Sequence, residues 1–149
     1  MGFSARKRTF ILKVVFLALI ATFFIIVIGT YFMEWLRGAP FIPAIAIFSL
    51  LGAALIFLAM KEKEMLKKFL LLTGASSAGF FVFVLLHNFF YGLGVITSNI
   101  TILKYLMEIL HIAFFVIAVF ICPIGFLVGV IGSLVLFTKK SKNKKQNNR

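Results

Sequence analysis

The chain has 149 residues, of which 62% are hydrophobic and 13% charged, with 16 Lys and Arg against 4 acidic residues and a formal net charge of +12. Soluble domains average roughly 45–50% apolar residues, so a water-soluble fold of this length could not enclose so much apolar surface. The expected class is an all-α integral membrane protein: a single four-helix bundle over residues 1–149, with no separate soluble domain.

A basic head, Arg6, Lys7 and Arg8, precedes the first apolar run. Span 1 is expected at about 12–33, with Lys13 at its edge, where a long side chain can reach the headgroups. The run is too long and too aromatic for a cleaved signal and reads as a retained anchor. Tyr31 and Trp35 suit an interfacial aromatic belt, and Glu34 and Arg37 are spaced to pair on the last turn. Gly38-Ala39-Pro40 then makes a tight connection, and Pro43 falls in the first turn of span 2, where a missing N–H costs nothing. Span 2 is expected at about 41–60, forming a close hairpin with span 1.

Lys61-Glu62-Lys63-Glu64 and Lys67-Lys68 form the second connection, and span 3 is expected at about 69–91. A longer loop, 92–104, follows. Span 4, about 109–137, is the longest apolar run, and the Lys/Asn/Gln-rich tail 138–149 reads as disordered.

Charge then sets a direction. With both termini cytoplasmic, the inner side holds fourteen basic residues and the outer side only Arg37 and Lys104. Such a bias is the positive-inside pattern. It explains the net charge without nucleic acid, because the basic residues flank the spans and do not interleave with stacking aromatics. The expected location is the cell membrane. The expected partners are the bilayer with its anionic inner-leaflet lipids, together with a homo-oligomer or larger membrane complex.

Polar residues within spans are costly, so their placement is informative. On span 3, Thr73, Ser77, His87, Asn88 and Tyr91 share an arc of roughly 100°. On span 4, Glu108, His111, Ala118, Cys122, Gly125, Gly129 and Ser133 do the same. Small residues four apart let helix backbones approach closely, which marks Gly74, Ala75, Gly79, Gly125, Gly129 and Ser133 as helix-packing positions. The single cysteine, Cys122, cannot close an internal disulfide.

His87, Glu108 and His111 are the candidate metal ligands. Imidazole and carboxylate suit zinc, iron or manganese, and two histidines suit haem. Glu108-Ile-Leu-His111 is one E-x-x-H pair; a dinuclear carboxylate bundle uses two, with further glutamates. Depth opposes a shared site. His87 lies 18 residues from the inner end of span 3, about 27 Å, and His111 lies 26 from that of span 4, about 39 Å, so straight helices separate the rings by about 12 Å in height. Tilt or a kink at Pro123 would be needed to close that gap. Otherwise His87 and Asn88 bond to neighbouring helices, and Glu108 suits a helix N-terminus.

No P-loop, dinucleotide fingerprint or H-E-x-x-H is present, and the chain has no aspartate for a Ser-His-Asp set. Asn99-Ile-Thr101 is a glycosylation sequon in the outer loop. The composition fits a non-catalytic accessory or self-associating membrane subunit, with no cofactor required. A transporter or channel protomer and a metal- or haem-binding protein are the alternatives; the middle of every span lacks the charge that coupled transport would use.

Overall fold

The computed structural model describes the backbone of residues 5–32 and 41–146 and the side chains of residues 7–29 and 42–139. The expected Trp35 belt residue, the Glu34–Arg37 pair and the Gly38-Ala39-Pro40 connection lie outside the described residues, as does the side chain of Tyr31. All regular structure among the described residues is helical: α1 (Ala5–Phe32), α2 (Phe41–Ala59), α3 (Glu64–Ile96), α4 (Thr101–Val116) and α5 (Cys122–Gln146). A π-helical turn, Ile117–Ile121, joins α4 to α5.

Among the described residues four stretches are long and apolar enough to cross a membrane: Lys7–Gly29, Ile42–Ala59, Glu64–Ile96 and Thr101–Lys139. The π turn has a sequence cause. Pro123 offers no N–H and its ring crowds the carbonyl four residues back, at Val119. The chain widens there by one residue per turn and stays helical.

Two boundaries differ from the sequence expectation. Residues 92–104 are not a loop. α3 continues through Gly92 and Gly94 to Ile96, and only residues 97–100 form the turn. Thr97 closes α3 by donating both its N–H (2.9 Å) and its hydroxyl (2.7 Å) to the Leu93 carbonyl. At the other end, α5 runs to Gln146, through most of the tail read as disordered from residue 138. Lys and Gln are good helix formers, and extending an existing helix adds one bond per residue with no new nucleus.

α3 is the central element, packing on α2, α4 and α5, while α1 packs on α2. α1 also meets α5 through large rings: Phe23 lies 4.6 Å from Phe126 and Phe16 lies 5.7 Å from Phe137, with Lys13 Nζ 5.9 Å over the Phe137 ring. The core gathers Leu12, Phe16 and Leu19 of α1, Phe48, Leu55 and Ala59 of α2, Leu66 and Leu70 of α3, and Phe126 and Val130 of α5. It occupies the half of the bundle nearer the termini. Arg8 fastens that end, with Nη2 3.8 Å from Glu62 Oε1 and 3.4 Å from the Lys61 carbonyl.

The α2–α3 contact explains its own register. Ser49 donates to the Ser77 carbonyl (3.0 Å) and Ser77 to the Phe48 carbonyl (2.7 Å), both between helices and both buried. One turn away, a Cβ on Gly52 would stand 2.8 Å from the Gly74 carbonyl, and one on Gly74 would stand 2.7 Å from the Gly52 carbonyl. Neither site has room for a side chain, so the two backbones touch. α2 thus supplies Ser49 and Gly52 to a small-residue seam with α3.

Of the expected packing residues, Gly74, Gly125, Gly129 and Ser133 lie at tight or buried contacts. Gly125 meets Ser76, and Gly129 meets Thr73 and Phe69, so α5 lies as close to α3 on one side as α2 does on the other. Ala75 points to the exterior instead, and a Cβ at Gly79 would sit at an ordinary 3.4 Å from Phe83. Those two follow the small-residue spacing but fall between the faces that α3 turns to α2 and α5.

Candidate functional site

α3 and α4 form an antiparallel hairpin that outreaches α2. Because Ser49 lies against Ser77, Phe41, eight residues before Ser49, lies level with Leu85, eight residues after Ser77. Ile96 is eleven residues beyond Leu85, so the hairpin tip projects about 16 Å past the start of α2. Nearly all the polar residues expected at the outer ends of spans 3 and 4 lie on this projection.

His87 and His111 meet. Their ring centroids are 4.2 Å apart with planes inclined by 24°, and His87 Nδ1 lies 3.1 Å from the His111 carbonyl oxygen. A carbonyl only accepts, so this nitrogen of His87 carries the proton. The expected 12 Å offset in height is therefore wrong, and the reason is geometric. Measured from the turn, His87 is ten residues before Thr97 and His111 ten after Thr101, about 15 Å each. The turn levels the two helices at that end. The surplus length of the fourth span is taken up at the opposite end, where α5 runs on to Gln146.

The pair belongs to an aromatic ladder between α3 and α4. Tyr91 lies 5.3 Å from His111, and Phe115 lies 5.3 Å from His87. Phe114 stacks between Phe83 (6.0 Å) and Phe90 (5.4 Å). Stacked rings add about 0.5–1.5 kcal/mol per pair beyond the area they bury. Asn88 takes no part: its amide donates to the Val84 carbonyl of its own helix (2.8 Å), which corrects the expectation of a bond to a neighbour. His111 Nδ1 is shut off from solvent and has no hydrogen-bond partner among the described residues.

Glu108 is exposed and lies two turns into α4, so it does not serve the helix N-terminus. Among the described residues no three His, Cys or acidic side chains are grouped so as to hold a metal ion. His87 and His111 share a face-to-face contact, whereas metal ligands converge on the ion through their ring nitrogens. Of the three candidate ligands, His87 and His111 meet, and among the described residues Glu108 does not join them in a metal-holding group.

Beside the ladder, toward the tip, lies an open cleft of about 390 Å³ lined by Phe90, Tyr91, Val95, Lys104, Glu108 and His111, with Gly94, Ser98 and Met107 completing it. A Cβ on Gly94 would stand 3.5 Å from Met107, so the cleft is bounded where the two helices are still in contact. Glu108 and His111 are legible in the sequence, but the cleft is not, because Lys104 faces it only once the expected 92–104 loop is replaced by the packed ends of α3 and α4. Asn99, the sequon residue, is exposed in the 97–100 turn.

α4 is the most amphipathic of the helices and buries no residue. Ile102, Tyr105, Leu106, Ile109 and Ile112 are all exposed. The sequence matches no family model, and no curated protein or solved structure matches it. Among the described residues the four apolar stretches are consistent with a small membrane protein.

Proposed function

We propose that this protein is a non-catalytic subunit of the cell membrane that works by association, as an accessory component of a larger membrane complex or with further copies of itself. The observation that carries this reading is the projecting tip. An apolar slab of about 30 Å takes some 20 helical residues, which from Lys68 ends near Asn88. Ile102, Tyr105, Leu106 and Ile109 lie beyond that level, where acyl chains no longer cover an exposed apolar face. Such a face calls for protein cover.

The middle of the bundle supports the same reading over transport. Its polar side chains are drawn into helix contacts: Ser49 and Ser77 bond across α2 and α3, and Thr73 donates to the Phe69 carbonyl (2.9 Å) against Gly129. Among the described residues no ion pair sits there to couple to an ion. The orientation proposed is that of the basic residues, with both termini cytoplasmic and the hairpin tip outside.

A photo-crosslinking side chain placed at Tyr105 or Ile109 tests the assignment in native membranes. A discrete protein adduct, to a second copy or to another membrane protein, is the expected result. Adducts to lipid alone, with the chain migrating as a monomer after extraction into lipid nanodiscs, would overturn it.

A further inference from the structure

We infer that the cleft between α3 and α4 binds a zwitterion that carries an ammonium and a phosphate, the chemistry of a phosphoethanolamine headgroup. Three observations meet there. The first is charge. Lys104 and Glu108 are one turn apart on α4, with Cβ atoms about 5–6 Å apart, and both line the cleft. Neither side chain is in an ion pair or hydrogen bond among the described residues. Two opposite charges facing one cavity without pairing present a cation site and an anion site side by side. Glu108 receives the ammonium and Lys104 the phosphate.

The second is the wall. Phe90 and Tyr91 line it, and aromatic rings attract an ammonium group within about 6 Å of the centroid, while the Ser98 hydroxyl can donate to a phosphate oxygen. Val95 and Met107 give the cleft an apolar side toward the hairpin tip.

The third is depth. Phe90 is 22 residues beyond Lys68, about 33 Å along α3, and a tilt near 20° shortens that to roughly 31 Å. The apolar slab is about 30 Å thick, so the cleft opens at headgroup level. A purely anionic ligand would leave Glu108 unmatched and repelled. A purely cationic one would do the same to Lys104.

The test uses the full-length protein in detergent, titrated with phosphatidylethanolamine or phosphatidylglycerol of matched chains, with lipid retention read by native mass spectrometry. Phosphatidylethanolamine is expected to be retained two- to fivefold better, the scale of one partly solvated ion pair. Glu108→Gln should abolish the preference, and Lys104→Gln should weaken both lipids. Both side chains are exposed, and continued protection of Cys122 from a maleimide confirms the fold. Glycerophosphoethanolamine, added as a soluble competitor, separates the sources. Displacement of the lipid identifies the headgroup chemistry as sufficient and admits a free zwitterion. Failure to displace, with the preference intact, identifies the intact phospholipid as the ligand. Equal retention of the two lipids by the wild-type chain, or variants that bind as the wild type does, would overturn the inference.

Discussion

Replacing Gly129 by alanine tests the closest helix contact directly. The added methyl would meet the Thr73 hydroxyl oxygen and stand 2.7 Å from the Thr73 nitrogen and 2.9 Å from the Phe69 carbonyl. Two of those atoms are backbone in a helix and cannot rotate away. Relief to an ordinary contact near 3.5–4 Å requires α5 and α3 to part by several tenths of an ångström or more, which loosens Phe126 and Val130 in the core beside it. Overpacking of this kind costs about 1–3 kcal/mol. Alanine recovers about 0.5–1 kcal/mol of helix propensity over glycine, so the net loss is roughly 1–2 kcal/mol. Gly92 is the control: a Cβ there meets nothing within 4 Å, so Gly92→Ala should be neutral or stabilising. Cys122, the only cysteine and 6% exposed, reports unfolding through its reaction with a fluorogenic maleimide on heating. A loss of about 2 kcal/mol lowers Tm by roughly 4–8 °C in a chain of this size. If Gly129→Ala melts with or above Gly92→Ala, α5 and α3 do not touch as described.

Ser77→Ala removes the buried bond to the Phe48 carbonyl and should lower stability by about 0.5–1.5 kcal/mol in the same thermal assay; Ser49→Ala in that background should add less than it does alone, because the two hydroxyls share one crossing. Topology is read from single cysteines placed in a Cys122→Ser background. Asn99→Cys should react with an impermeant maleimide added to intact cells, and Lys63→Cys only after the membrane is opened. The reverse pattern would invert the proposed orientation.

The sequence carried the class and the span count because each follows from local composition. A run of apolar residues long enough to cross a bilayer needs no knowledge of its neighbours, and the placement of Pro43 and of the basic clusters is equally local. Several packing residues were legible for the same reason: a glycine or serine every fourth residue is a property of one helix. The pattern did not say which face meets which partner. Ala75 has the right spacing and points outward, while Gly52 and Gly132 carry no repeat and are closely packed, Gly52 against Ser77 and Gly132 against the Phe69 ring. The candidate site was half legible. His87, Glu108 and His111 were identifiable as the ionisable residues near span ends, but depth counted from the terminal ends of the spans placed the histidines apart.

Apolar length, charge distribution and small-residue spacing thus belong to the sequence alone, because each is a sum over neighbouring residues. The meeting of His87 with His111, the exclusion of Glu108 from that contact and the cleft between Phe90 and Lys104 belong to the tertiary structure. All three depend on the tightness of one turn at residues 97–100, which sets the register of two long helices. A shift of one residue there would rotate each side chain by about 100° and take the two rings out of contact.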